Sequence, residues 1–460
     1  MTKPLSTLTE GSVRHHLVVM TIPMIWGILA IMSMYLADTY FVGQLGPREL
    51  AALSFTFPVV MVVVSLSIGL SAGTSSVLAR AVGEHDNQKV RRLTTDSLSL
   101  SLVLVVIVSA VGIATIDPLF RWLGATEDLL PLIHDYMELW YVGMVFLVVP
   151  MTGMGALRAT GDSKTPGFVM TAAAIVNLVL DPLLIFGLAG LPRMELTGAA
   201  AATVIARAVT FVITLWGLKF KLNVITFARV TIAEVLASWS RIMHVGLPAT
   251  GTNIIIPVAN GIAVAMISQY GPNAVAGFGV ATRVESLALV IFYAMSAVIG
   301  PIVGQNLGAG KLERISEAMR LSMIFCVTLG LALALVLGLG AKPIASLFTD
   351  EPAVIAVATD YLWIVPISFG AAAVVMIVNA AFNGLGKPIP AVIVSVTRMI
   401  VLFLPLAFLG GRWFGVSGIF AALSLATLIV GVGAYMWYQS EVVRLKANLQ
   451  RAPTPVTDLM

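Results

Sequence analysis

"PMIWGILAIMSMYLADTYFVGQLG", residues 23–46, carries one charged side chain, Asp38, in an otherwise apolar, Met-rich stretch that begins near His16. A run of that length crosses a bilayer as a helix. Similar runs recur along all 460 residues, of which 58% are hydrophobic and 11% charged, with a mean hydropathy of +0.97. A water-soluble chain carries roughly a quarter charged residues. The sequence therefore reads as an all-α polytopic membrane protein. Its first apolar stretch is too long for a cleavable leader and lacks an A-x-A-like site, so it is expected to remain as the first span.

Hydropathy and turn signals place twelve transmembrane helices at about 16–44, 51–79, 93–116, 136–157, 167–190, 198–219, 245–270, 274–304, 318–341, 361–382, 389–410 and 416–438. The basic residues then sort by side. Nineteen of the 27 Lys and Arg fall on the face shared by both termini, from Lys3 and Arg14 to Arg229 and Arg451, and five on the other. The remaining three, Arg207, Arg283 and Arg398, lie inside spans. The positive-inside rule puts both termini in the cytoplasm, and the same bias accounts for the net charge of +4 without an acidic partner; nothing supports nucleic-acid binding.

The chain also repeats. At a constant offset of 225, Pro23 matches Pro248, Gly46-Pro47 matches Gly271-Pro272, Pro118 matches Pro343, Asp135-Tyr136 matches Asp360-Tyr361, and Gly161 matches Gly386. Two six-helix bundles follow: an N-terminal lobe over 1–219, a cytoplasmic linker over 220–244, and a C-terminal lobe with a cytoplasmic tail over 245–460. Each half holds an even number of spans, so the halves run the same way through the membrane, related by an axis along its normal, with a cavity between them.

The repeat breaks where polar residues appear. Asp38 has Ala263 as its counterpart, Asp181 has Leu404 and Asn177 has Ile400. Asn177 and Asp181 are i and i+4, on one helical face. Met34 and Tyr35 lie one turn before Asp38 on its own face, and Pro23 sits about four turns before it, where a missing donor can bend the helix. An ionised acid at mid-bilayer costs about 2.5–3.5 kcal/mol or more, whereas inert polar glue is made more cheaply from Ser or Thr. Intramembrane acids mark ion or proton paths. If Asp38 and Asp181 are neighbours, they share a proton and titrate as a pair. No Lys or Arg lies between Arg14 and Arg48, so the partner of Asp38 is expected to be transported: a proton or a cationic substrate.

Other charges have plainer readings. Arg207 and Arg398 are expected to cap carbonyls or snorkel. Arg283 and Glu285, at i and i+2, face different ways, which leaves Glu285 as the candidate for a second coupling site. Cys326, the single cysteine, excludes an intramolecular disulfide and a Cys-based zinc site. The five histidines lie at span ends or in loops, so no metal cluster is expected in the membrane. "GLSAG" at 69–73 fits G-x-S-x-G but sits in a continuous helix with no His or Asp to activate Ser71, and its glycines read as a packing face. "GAGK" at 308–311 fails the phosphate-loop pattern at Gln305 and Leu312. Without an ATP site or a nucleophile–base pair, the chain is expected to be no enzyme, to need no cofactor, and to draw on an ion gradient.

With "GALRATGDSKTP", "NLVLDPLLIFG", "LTGAAAAT" and "GPIVGQNLGAGK", the opening stretch resembles the multidrug and toxic compound extrusion (MATE) transporters over about 12–440. The resemblance implies two six-helix bundles that export small cationic or amphiphilic drugs against a proton or sodium gradient. Spans 245–270 and 361–382 contain no acid, as in the DNA-damage-inducible-F-like branch, whose coupling acids lie in the N-terminal lobe. That branch's network maps onto Asp38, Asn177, Asp181 and Thr203, with Tyr141 preferred over Tyr136 as its tyrosine. Met34, Tyr35 and Tyr141 are then expected to line the substrate cavity. The resemblance implies a monomer in a bacterial inner membrane, with the proton favoured over sodium. The competing reading is a lipid-linked oligosaccharide flippase of the same superfamily, which three intramembrane arginines would suit and two N-lobe acids would not.

Overall fold

The computed structural model describes residues 7–228 and 230–451, with side chains of 8–228 and 230–447; Lys3, Arg229 and the Arg451 side chain fall outside the described residues. Among these residues the regular structure is all helix, with no strand. The first three spans are single helices, Val13–Gly43, Pro47–Gly83 and Asn87–Ala114. The fourth is a pair, Leu130–Gly143 and Val145–Ala159, bent by 40°. Lys164–Phe186 and Glu195–Trp216 complete the first half.

The second half repeats this plan. The tenth span is again broken, with Pro352–Ile364 and Phe369–Gly384 flanking a 3-10 turn at Val365–Ser368. The short helices Ile116–Trp122 and Ala341–Ser346 occupy matching places before the two broken spans. The eighth span comprises Pro272–Ala288 and Val290–Gly308, and the ninth is Leu312–Leu339. The eleventh and twelfth lie within Pro388–Ala447. They are separate because Gly415 leaves the helical region (φ 63°, ψ −146°) and a Cβ on Gly418 would meet the Gly410 carbonyl oxygen at 2.0 Å. Eight residues of straight helix would span about 12 Å, so the chain reverses here. Twelve spans result.

The seventh span is longer than its hydropathy suggests. It runs Ile232–Ile267, launched by a capping box in which Thr231 Oγ1 accepts from Glu234 N (3.3 Å) and Glu234 Oε2 from Thr231 N (2.9 Å). Charged Glu234 and Arg241 mask this first part in a hydropathy reading. Half of the 220–244 stretch is therefore helix.

Each half has its own buried apolar core, and two helices cross between them. Leu17, Met20 and Met24 of the first span belong to the second lobe's core, whereas Val42 belongs to the first lobe's; Ile242 of the seventh span packs in the first lobe. Glycines make the crossing possible. A Cβ on Gly69 would stand 2.0 Å from Thr250 Oγ1 and 2.5 Å from the Gly246 carbonyl, and one on Gly73 would stand 2.4 Å from the Ile242 carbonyl. The "GLSAG" stretch is thus a packing face, and its Ser71 hydroxyl is spent on the Met151 carbonyl (2.7 Å) and the Arg158 guanidinium (2.8 Å).

On the face carrying both termini the lobes meet closely. Gly83 backs onto the Gln305 carbonyl, Gly308 onto the Arg80 carbonyl, and Ser76 Oγ donates to the Asn383 carbonyl. Gln305, fully buried, ties three segments: its Nε2 donates to the Ala159 carbonyl (2.6 Å), and its Oε1 accepts from Leu8 N (3.2 Å). Asn306 Nδ2 and Arg314 Nη2 donate to the Leu8 carbonyl (3.2 and 3.1 Å), and Lys311 Nζ to that of Thr9 (2.9 Å). A buried polar group stripped of its partner costs about 1–3 kcal/mol. Gln305→Ala strands both the Leu8 N–H and the Ala159 carbonyl, so the purified variant is expected to melt several degrees below the parent in a thermal unfolding scan.

Candidate functional site

Asp38 lies in the first lobe among groups from three other spans or half-spans. Asn177 and Asp181, one turn apart on the fifth span, are both fully buried, and Asn177 Nδ2 donates to Asp181 Oδ1 at 3.3 Å. The same Nδ2 reaches Thr203 Oγ1 of the sixth span at 3.5 Å. The Asp38 carboxyl, partly buried on the first span, is within hydrogen-bonding reach of both Asp181 and Asn177. Asp38 Oδ1 and Asp181 Oδ2 are buried with no N–H or O–H donor among the described residues.

Two further groups were not expected here. Arg207, on the sixth span, is 9% exposed, and its Nε has no hydrogen-bond acceptor among the described residues. Its charge acts directly on Asp38 and Tyr136. It therefore neither snorkels nor caps a carbonyl; it is the cation that the local sequence around Asp38 lacks. The tyrosine beside the acids is Tyr136, which feels the charges of Asp38 and Asp181. Tyr141 lies elsewhere: it is buried with its ring against Gly112 of the third span, and its carbonyl accepts from Ser109 Oγ (2.6 Å). Of the other expected cavity residues, Met34 is buried and Tyr35 is 36% exposed.

Pro23 sits inside the first helix and faces a span of small residues. A Cβ on Gly167 would meet the Pro23 carbonyl at 2.4 Å, and Gly27 approaches Gly167 Cα in the next turn. The helix lacks one internal hydrogen bond at the point where the fifth span, bearing Asn177 and Asp181, presses against it.

The second lobe holds a related trio. Glu285 accepts a hydrogen bond from the buried Tyr361 hydroxyl, and Arg398 lies close enough for its charge to act on Glu285. Tyr361 is the repeat partner of Tyr136, so equivalent tyrosines of the two broken spans each face an acid of their own lobe. The acids and arginines are not equivalent in the repeat. Arg398 sits in a wide π turn, Thr397–Phe403, and Arg283 is exposed, away from Glu285. The Asp-Tyr pair at both repeat positions was the one sequence signal for these tyrosines.

The MatE family profile matches residues 23–183 and 248–409, one segment per lobe and offset at their starts by the repeat length. A protein of Shewanella oneidensis named FAD transporter is 40% identical over 93% of this chain and 95% of its own length. A Bacillus subtilis protein named probable multidrug resistance protein YoeA is 25% identical over 87% of this chain and 89% of its own. Among solved structures, the Vibrio cholerae MATE transporter VcmN in its bent form superposes with a TM-score of 0.88, at 30% identity, over 94% of this chain and 97% of that one. With both lobes matched in order and a full-length relative at this identity, the chain belongs to the MATE family of multi-pass membrane transporters, which are not enzymes.

Proposed function

We propose that the protein is a proton-coupled exporter of small amphiphilic cations, seated in a bacterial inner membrane with both termini cytoplasmic. The observation that carries this is the pairing of Asp38 with Asp181 beside Arg207. With Arg207 positive, the trio is neutral when the acids hold one proton, positive when they hold two, and negative when they hold none. Only the last state attracts a cationic drug, and loading protons repels it. Drug and proton therefore exclude one another, which is the thermodynamic requirement of exchange. Asn177 and Thr203 orient the acids, while Tyr35 is the exposed aromatic near the site. Glu285, with Tyr361 and Arg398, supplies a second titratable group in the other lobe. The path lies between the lobes of one chain, so a monomer suffices. The charge bias across the spans supports the orientation, and multidrug-named relatives support the substrate class.

The test is the drug-susceptibility profile of cells with and without the protein at matched expression. Raised tolerance to lipophilic cations supports the reading; an unchanged profile overturns it. In sodium-free vesicles with an acidic exterior, export is expected to persist, since no dehydrated sodium shell is needed to bridge two carboxyls. Loss of export without sodium, whatever the pH gradient, reverses the choice of ion.

Pro23 is the hinge of this cycle. A proton on the acids changes which groups they bind, and the helix lacking a hydrogen bond at Pro23 bends in response; the V. cholerae relative has been solved in a bent form. Pro23→Ala is expected to slow turnover by about tenfold while drug affinity stays within about twofold, because the hinge gates the cycle rather than forming the binding surface. Transport and equilibrium binding measured on one preparation separate the two effects.

A second reading has one specific support, the 40% identical relative named FAD transporter. An anionic dinucleotide would seek the intramembrane cations, Arg283 and Arg398. Flavin in the medium of expressing cells, against cells with the empty vector, decides between the two.

A further inference from the structure

On the face carrying the termini, a cavity of about 740 Å³ opens between the turn joining the second and third spans and the start of the seventh. Lys89, Arg91, Arg92 and Arg241 line it, with Asp86 and Glu234 as its acids. The charges are not evenly free. Arg92 is committed to Asp96 through a two-pronged ion pair. Both lining acids are turned into their own helix ends: Asp86 Oδ1 accepts from Lys89 N (2.9 Å), and Glu234 Oε2 accepts from Thr231 N (2.9 Å). The Arg91 and Arg241 side chains, both exposed, have no hydrogen bond or ion pair among the described residues. The cavity thus offers two uncommitted guanidinium groups, whose forked donors match phosphate oxygens.

Apolar side chains adjoin it. Val230, Ile232 and Leu236 are 40%, 78% and 52% exposed, and Phe227, 82% exposed, lies beneath the Lys219 ammonium at 4.9 Å. Exposed aliphatic and aromatic side chains beside lysines and arginines are the pattern of a segment lying at the lipid–water boundary. A free phosphate would use the arginines and leave these neighbouring apolar side chains unexplained. A phospholipid uses both.

We propose that this cavity binds the phosphate headgroup of an anionic phospholipid, with its acyl chains along the exposed apolar side chains of the adjoining segment, Val230, Ile232 and Leu236. Arg91 and Arg241 grip the phosphate, while Lys89 at the mouth is already paired with Glu84 (Nζ–Oε2 2.6 Å). A neighbouring hollow shares Lys89 and Arg241 and extends to Arg80 and to Gly386 of the second lobe. A bound headgroup therefore sits beside the closed contact between lobes, and holding it favours that arrangement.

The experiment uses the full-length protein, incubated with phosphatidylglycerol or phosphatidylcholine and read by native mass spectrometry. Phosphatidylglycerol is expected to be retained over phosphatidylcholine. Arg91→Gln with Arg241→Gln is expected to weaken that retention roughly 30-fold, two cations' worth at a membrane surface. Arg320→Gln with Lys446→Gln, exposed on the same face outside the cavity, is expected to change it little. Equal retention of the two lipids overturns the proposal, as does an equal loss in both double variants, which would mean diffuse surface charge. Complete displacement of the lipid by inorganic phosphate overturns it too, by making this a free-anion site. Partial recovery with Arg91→Lys and Arg241→Lys supports it.

Discussion

Asp38→Asn is expected to reduce efflux to the level of cells lacking the protein while leaving the folded chain in the membrane. The amide holds the site in the form that a protonated Asp38 presents: Arg207 keeps its charge, Asp181 loses its carboxyl partner, and no proton release restores a negative site. Folding should survive, since Asp38 is only partly buried and the Asn177–Asp181–Thr203 contacts do not pass through it. The check is drug accumulation at matched expression, with the variant's unfolding midpoint alongside. Efflux at the parent's rate would remove the two-acid mechanism. Asp181→Asn is the companion: if the acids act as one unit, the double variant is no worse than either single one.

Gly69→Val should open the contact between the second and seventh spans. Its side chain would enter a space where even a Cβ comes within 2.5 Å of the Gly246 carbonyl. Overfilling a packed contact costs about 1–3 kcal/mol, which shifts a two-state equilibrium roughly 5- to 150-fold. A cysteine pair at Ser76 and Asn383 reports the closed arrangement, because those residues touch across the lobes and the single native cysteine, Cys326, is buried. Cross-linking of that pair is expected to fall steeply with Gly69→Val. It should hold with Gly251→Val, a seventh-span glycine with no atom within 4 Å of an added Cβ. Equal cross-linking in both would mean that the glycine face does not control closure.

The architecture was legible because its signals are long-range and redundant: apolar runs set the spans, and one offset set the two lobes. Asn177 and Asp181 were legible as a face, since i, i+4 geometry is local. Arg207 was not. Nothing in sequence spacing brings a sixth-span arginine to a first-span acid; only packing of the first, fifth and sixth spans does so. That Tyr136 rather than Tyr141 stands beside the acids was hidden for a related reason. Five residues apart, the two side chains point about 140° from each other, and which one faces inward depends on how the half-helix before the Gly143–Val145 break is rotated. The start of the seventh span was missed because a capping box is written in polar residues, which a hydropathy window treats as loop.

Leu8 is 2% exposed, and its carbonyl and N–H are held by Gln305, Asn306 and Arg314, nearly 300 residues later. During synthesis this segment emerges ahead of the first lobe's spans, and the whole first lobe can enter the membrane before any of those partners has been translated. A chain stopped before residue 302 has seven complete spans but nowhere to seat Leu8, and the lower part of its first helix presents Leu17, Met20 and Met24 with the core they pack into still unmade. Contacts of such long sequence separation form late and leave apolar surface waiting. Nascent chains of this protein are therefore most exposed to insertases and proteases between completion of the sixth span and arrival of the ninth.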